Sequence, residues 1–370
     1  MTDFRNDSRI VLTLDAGGTN MVFSAMRGGE YIVDPITLPS NSNNLDLCLE
    51  TMVLGFSTVL NSLEDKPVAI SFAFPGPADY PNGIIGGYLP NFPSFRDGVA
   101  LGPFLEDKFG IPVYINNDGD LYAFGEALGG ALPDVNRRLA EAGSKKRYRN
   151  LIGYTFGTGF GYGAVIDGVL NRGDNSCVET FCLQNPKLPG YIIEDSVAVR
   201  AVTRVYGEAS GHMDHGLTPK DISDICHGRR EGDRGAAIKA FNDLGEAAGD
   251  AMATAATLID GIICIGGGIM NNSEYIMPGI LNSMRGTIRT MSGDVIGRVQ
   301  SKVYNLDDPE EFAQFASGDA REIKVYGSDR TVTYDPQKRI GVMKSRIGAS
   351  KAISIGAYTF ALSQLDKKNA

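Results

Sequence analysis

No stretch of this chain approaches the ~18 consecutive apolar residues from which a membrane-spanning helix is read, so no membrane partner is expected. The first ten residues, "MTDFRNDSRI", carry no basic segment followed by an apolar one, and no secretory signal is read there. Cysteine is scarce and odd in number, five in all without a CxxC pair. That usage suits reduced thiols in a cytoplasm better than a disulfide framework. Positive charge is in deficit, 35 Lys and Arg against 44 Asp and Glu, for a formal net charge of -9. A nucleic-acid footprint would be basic, so DNA and RNA are not expected partners. His212, His215 and His227 stand in "HMDH" and "CH" without the paired cysteines of a zinc module, and zinc is not expected. The phosphate-binding pattern GxxxxGK[ST] is also missing.

What is present is glycine, 46 residues of it, in a chain of 370 that is 43% hydrophobic. That length suits two domains, and alternating helical and strand-like stretches point to α/β architecture. Residues 9–32, "RIVLTLDAGGTNMVFSAMRGGEYI", read as two strands joined through a glycine turn, with "RGG" leading to a third strand. Residues 150–170, "NLIGYTFGTGFGYGAVIDGVL", repeat the plan roughly 140 residues later. Solenoid repeats are far shorter, so the spacing indicates a duplicated domain. The helical stretch "AAIKAFNDLGEAAGDAMATAATLI" is rich in small residues that permit close packing, and Met270, Met277 and Met284 read as core. The basic run Lys145 to Arg149 reads as a solvated loop. We expect an N-terminal domain over 1–131 and a C-terminal one over 132–349. Residues 296–345 read as a small β insertion, and a last helix over 350–367 packs back on either domain.

Three glycine turns follow predicted strands: Gly17-Gly18-Thr19, Gly157-Thr158-Gly159 and Gly266-Gly267-Gly268. Glycine lets backbone amides approach a phosphate, and grouped amides form an anion nest. Any one of them is an ordinary tight turn, for which glycine is equally suited. Three in duplicated context favour a nucleotide. Asp15 offers a hard oxygen ligand for Mg²⁺, directly or through water. "GTGFGYG" imitates a dinucleotide fingerprint, but a strand follows it where that motif requires a helix. In "YINNDGDLYAFGE", Asp118 stands just past a strand end, where a carboxylate can serve as general base. The same aspartate would suit the cap of the helix "LYAFGE". Asn117 can exchange hydrogen bonds with a polyol, and Asp120 is a neighbouring decoy. Glu179 and Glu194 either accept from sugar hydroxyls or are ordinary solvated acids.

The ordered set "LDAGGTN", "FPGPAD", "LPNFPSF", "INND", "GTGFGYGAVIDG" and "GIICIGGGI" resembles the ROK family of sugar kinases and related repressors. The resemblance covers nearly the whole chain apart from 296–345. It implies a duplicated actin-like, ribonuclease H-like two-domain fold with ATP and sugar in a cleft, and a cytoplasmic enzyme that is a dimer. It implies Asp118 as the base that takes the sugar hydroxyl's proton. It places Gly76, Asn91, Asn117, Glu179 and Glu194 at the sugar. Asp15, Gly17, Gly18, Thr19, Thr158 and Gly159 would surround the triphosphate and its Mg²⁺, with Gly267 and Gly268 at the nucleoside. Two departures stand out. Many members carry histidine three residues after the glutamate matching Glu179, where this chain has Cys182, expected as a buried structural thiol or a stand-in sugar contact. Their CxCGxxGC zinc cluster is replaced by "LQNPKLPGYII". Repressors of the family carry an N-terminal winged helix, for which about nine residues before the first strand leave no room. The expected activity is therefore an ATP-dependent sugar kinase, with a non-catalytic sugar sensor as the alternative.

Overall fold

The computed structural model describes residues 4–76, 78–214 and 216–368. They fall into two compact units. The first takes the chain up to Gly130, then residues 163–178 and the segment from Ile347 onward; the second takes residues 131–162 and 179–346.

In the first unit β1 (Val11–Ala16) and β2 (Asn20–Arg27) form an antiparallel hairpin extended by β3 (Glu30–Tyr31) and β4 (Ile36–Pro39). Helix α1 (Leu45–Asn61) is capped by Asn44, whose side chain accepts the Leu47 amide, as its position before the apolar run favours. Strand β5 (Ala69–Ala73) lies parallel to β1. A short ribbon, β6 (Ala78–Asp79) and β7 (Ile84–Ile85), and helix α2 (Leu101–Phe109) lead to β8 (Val113–Asn116), parallel to β5. Helix α3 (Asp118–Leu128) follows directly. The sheet order is β3-β2-β1-β5-β8. Val11 and Leu12 at the start of β1 point to opposite faces and are both fully buried, because both faces are covered there. Phe23, Phe56, Phe72, Phe74, Phe92 and Phe95 fill one side, and Val11 and Met26 pack against Tyr358 and Leu362 on the other.

The second unit opens with α4 (Ala131–Glu141) and β9 (Leu151–Phe156); β10 (Phe160–Ile166) and β11 (Val169–Leu170) carry the chain back to the first unit. Helices α5 (Val199–Ser210), α6 (Pro219–Cys226) and α7 (Arg234–Ile259) precede β12 (Ile262–Gly266) and α8 (Ser273–Met284). Small residues let α7 and α8 approach as expected: a Cβ at Gly245 would lie 2.2 Å from the Ile276 carbonyl oxygen. Met270, Met277 and Met284 are buried. Then come the hairpin β13 (Thr287–Arg289) and β14 (Val295–Gly297), β15 (Lys302–Asn305), α9 (Pro309–Ser317), the hairpin β16 (Arg321–Lys324) and β17 (Thr331–Tyr334), and β18 (Arg339–Lys344). The sheet runs β10-β9-β12-β18-β15, with β12 parallel to β9 and β18.

Two expectations change here. The segment 296–345 is not one β insertion, because β18 is buried as a regular sheet strand, β15 extends that sheet, and α9 is helical. Only the two hairpins stand apart as β additions, exposed along their length. Residues 163–178, read from sequence as part of the second domain, group with the first. There Gly163 lies so close to α3 that a Cβ would sit 2.4 Å from the Gly119 carbonyl oxygen. The last helix, α10 (Ala349–Lys368), also belongs to the first unit, crossing α3 where Gly125 and Gly356 leave no room for a side chain: either Cβ would lie 1.9 Å from a carbonyl oxygen of the other helix. Among the described residues no helix is long and apolar enough to cross a membrane.

Candidate active site

In the first unit, three parallel strands end in register. Asp15 on β1 is opposite Ala73 on β5, which is opposite Asn116 on β8. Asp15, the turn at Gly76 and the pair Asn117–Asp118 therefore emerge from one edge of the sheet, the edge where open α/β sheets place their ligands. The cap of α3 is Asn117, not Asp118. Its backbone is extended (φ -67°, ψ 151°), and its Oδ1 accepts the Gly119 amide at 2.8 Å. Adjacent residues of the same capping class compete, and the earlier one has the non-helical backbone that a cap needs. Asp118 Oδ1 receives the same Gly119 amide at 2.9 Å. The Asp118 carboxyl remains open to water on one side, yet the protein crowded around it raises its pKa. The negative charge of Asp15 acts in the same direction, and the Gly119 and Asp118 amides oppose it.

Asp120 is more than a decoy. It is 7% exposed, and burial pushes its carboxyl up to about 7; Arg172 pulls it down and Asp118 pushes it further up.

The turn between β1 and β2 is held from behind. Gly17 N–H donates to the Asn20 carbonyl at 3.0 Å, and the hydroxyls of Ser40 and Ser42 both donate to the Gly18 carbonyl. Ser40 N–H donates to the Thr19 carbonyl. With the carbonyls occupied, the Gly18 and Thr19 amides donate to no group among the described residues. Asn91 backs this turn, since a Cβ on Gly18 would lie 3.0 Å from Asn91 Cβ. A Cβ on Gly76 would meet the Tyr80 hydroxyl at 2.8 Å, and that hydroxyl donates to the Phe74 carbonyl.

In the second unit the β9–β10 tip carries Gly157, Thr158 and Gly159. Gly157 N–H donates to the Gly159 carbonyl at 3.1 Å, and its own carbonyl accepts from Val199. Glu194, in a 3-10 turn at Ile193–Ser196, reaches this tip: Oε2 accepts the Phe160 amide at 2.9 Å, and Oε1 pairs with Arg200 at 2.9 Å. It is therefore a held carboxylate rather than a solvated surface acid. Gly267 abuts the same tip, at φ +98°, where a Cβ would sit 2.2 Å from the Phe156 carbonyl oxygen; Gly268 has open space around it. Glu179 is half-buried, and its charge adds to the burial that raises the pKa of Tyr154. Cys182 is exposed, not buried, because it follows Glu179 into an irregular loop where Phe181 is exposed too.

Each unit thus brings its own share of the expected residues together. Asp15, Gly17, Gly18, Thr19, Gly76, Asn91, Asn117 and Asp118 belong to the first, and Thr158, Gly159, Glu179, Cys182, Glu194, Gly267 and Gly268 to the second. Sequence reasoning missed Ser40, Ser42, Arg172 and Arg200. Only Arg200 carried a signal, one helical turn beyond the "EDS" acids. Among the described residues no three His, Cys, Asp or Glu side chains converge as a metal cluster; His215 lies outside those residues. A Mg²⁺ ion carried by a nucleotide does not need such a cluster, since one carboxylate beside the phosphates suffices. Asp15, exposed at the end of β1, fits that requirement.

The family model described as ROK family matches residues 11–181. The crystal structure of a glucokinase from Parabacteroides distasonis is 58% identical, covering 98% of this chain and 99% of that one, with a TM-score of 0.90. A ROK family glucokinase from Streptomyces griseus, crystallised with glucose and AMPPNP, shares the two-domain actin-like fold at 18% identity and a TM-score of 0.61, covering 95% of this chain and 98% of that one. The xylose repressor of Bacillus spizizenii is 30% identical over 138 residues, 37% of this chain. The match spans only 31% of that repressor's length.

Proposed function

The chain belongs to the ROK family, and from that premise we propose that it is an ATP-dependent sugar kinase whose first candidate substrate is glucose. One observation carries the reading. At one edge of a parallel sheet, where the strands end in register, stand two carboxylates, Asp15 and Asp118; burial raises the pKa of Asp118, and the charge of Asp15 adds a smaller push in the same direction. Phosphoryl transfer depends mainly on positioning and on charge stabilisation. On this reading Asp118 accepts the proton of the attacking hydroxyl, and its raised pKa makes it a stronger base than an ordinary aspartate. Asn117 offers a polar side chain to the sugar and holds the turn that presents Asp118. Gly76, Asn91, Glu179, Glu194 and Cys182 are the further candidates for sugar recognition. The amides of Gly18, Thr19, Thr158 and Gly159 are donors for phosphate oxygens, and Gly267 and Gly268 flank the nucleoside. Asp15 holds the Mg²⁺ that accompanies the nucleotide.

The 58% identity to a glucokinase over the full length of both chains supports the kinase reading. The similarity to a xylose repressor favours a second one, a sugar sensor without turnover. The deciding experiment is ADP release with ATP and Mg²⁺ across aldoses, ketoses and N-acetylated hexosamines, beside Asp118→Ala. We expect glucose-dependent turnover in the natural chain and a ~10²–10⁴-fold lower kcat in the variant, with sugar binding by calorimetry retained. A silent panel with sugar binding intact would establish the sensor instead.

A further inference from the structure

Residues 163–178 include an arginine that the proposed chemistry does not use. Arg172 Nη1 donates to Asn116 Oδ1 at 2.9 Å, and its guanidinium lies 5.2 Å from the ring centroid of Phe360 on α10. Asn116 is the last residue of β8, two before Asp118, and it is fully buried. Its backbone carbonyl accepts the Phe74 amide at 3.0 Å, which fixes the peptide but not the side chain. The side-chain amide Nδ2 has no partner among the described residues, so the bond from Arg172 is the one that holds the Asn116 side chain. A buried polar group with a single partner is costly to orphan. The guanidinium also bears on the local charge balance, because it is the cation felt by Asp120, two residues beyond Asp118.

We propose that Arg172 is a positioning residue: through Asn116 it fixes the carboxyl end of β8 from which the Asn117–Asp118 turn springs. The same short segment then runs on to Glu179, so one stretch of chain both braces the base and delivers a candidate sugar ligand. The catalytic half of this inference rests on the kinase reading. The brace itself does not.

The test combines steady-state kinetics with hydrogen exchange of the amides of residues 117–121 in the full chain. Displacing a reacting group by about 1 Å can lower turnover ~10²-fold. In Arg172→Met we expect kcat to fall ~10–100-fold with KM for ATP within about 2-fold, and exchange at Gly119 to Leu121 to quicken ~10-fold or more. Arg172→Lys, which keeps the charge and one donor, should recover part of both effects. The double variant Arg172→Met, Asn116→Ala should be no worse than the more damaging single one, because both break the same link. Unchanged exchange in Arg172→Met, or effects that multiply in the double variant, would overturn the proposal. Should Arg172→Met fail to fold, Asn116→Ala reports on the same bond and must reproduce the quickened exchange. If the natural chain turns over no sugar but Arg172→Met still loosens the turn, the kinase reading falls while the brace stands.

Discussion

The two glycine-tipped hairpins occupy corresponding places in their sheets, but they are built differently. The β1–β2 tip begins with an acid, Asp15, and is crowded: a Cβ on Gly17 would lie 2.7 Å from the Asn20 carbonyl oxygen, and two serines grip the Gly18 carbonyl. The β9–β10 tip has no acid in the strand before it, and Gly157 has nothing within 4 Å of its added Cβ. The acids nearby are also handled differently. Glu194 is compensated by the Phe160 amide and by Arg200. Asp118 and Asp120 instead face other carboxylates, with Arg172 as the counterweight to Asp120. A glycine crowded by its neighbours and a glycine with open space around it thus share one sequence pattern. Only the surroundings separate them.

The largest expected difference between the tips lies in Asp15. Replacing it by Asn should lower kcat ~10²–10³-fold, the loss typical when a preorganised electrostatic group is removed. Melting temperature should not fall, since the change also removes repulsion on Asp118. A variant that loses stability as well as turnover would make Asp15 a structural residue and erase the contrast with the acid-free tip.

Next in size is a pH effect confined to the first unit. An unfolded aspartate titrates near 3.9, whereas Asp120 in the fold titrates at about 7. Between those values the folded state holds a proton that the unfolded state has released, so stability falls as pH rises from ~4 to ~7 and then levels. Three units at ~1.4 kcal/mol each bound the effect at ~4 kcal/mol. Asp120→Asn should lack this limb. Denaturant unfolding of both chains at pH 4.5 and pH 8 should therefore show the variant gaining on the natural chain at the higher pH. A constant difference would mean that Asp120 is ionised throughout and that Arg172 outweighs its burial.

The acid behind that prediction shows how far sequence could be read. The strand–glycine–strand plan, the position of Asp118 after a strand and the small-residue helix α7 were legible because each depends on local pattern. Asp120 was not, although every residue from Gly119 to Ala127 is buried. A helix covered on all sides buries its acids too, but that cover comes from β10 at Gly163 and from α10, which is more than 200 residues away in the chain. The cap exchanged Asn117 for Asp118 for a plainer reason, since both side chains suit the role and only the backbone angles choose. Arg172 had no local signal at all, because its partner Asn116 is distant in sequence and its segment reaches the first unit only through the run of β10.

Alanine at the two tips tests the contrast at a smaller scale. Gly17→Ala should destabilise the fold by ~1–3 kcal/mol through strain at a crowded turn. Gly157→Ala should change stability by less than ~0.5 kcal/mol and instead raise KM for ATP. Thermal melts paired with ATP titrations separate the two outcomes. Equal destabilisation at both positions would show that the second tip, too, is set by packing rather than by a ligand.

The smallest effect belongs to Cys182. Glu179 and Cys182 are three residues apart, yet Glu179 is half-buried and Cys182 lies on the exposed face of an irregular loop. An exposed side chain outside the core contributes little to stability, so Cys182→Ala should leave the melting temperature within the error of a ~0.5 kcal/mol change. As a sugar contact the thiol is a weak donor, worth less than an ordinary neutral hydrogen bond of ~0.5–1.5 kcal/mol. The sugar dissociation constant should therefore rise by less than about 3-fold, against ~10-fold or more for Glu179→Ala, whose carboxylate makes the stronger charge-assisted bond. Calorimetry with glucose on both variants ranks the two. If Cys182→Ala cost as much affinity as Glu179→Ala, the thiol would be a primary sugar ligand, and the loop would have to present both side chains to one molecule.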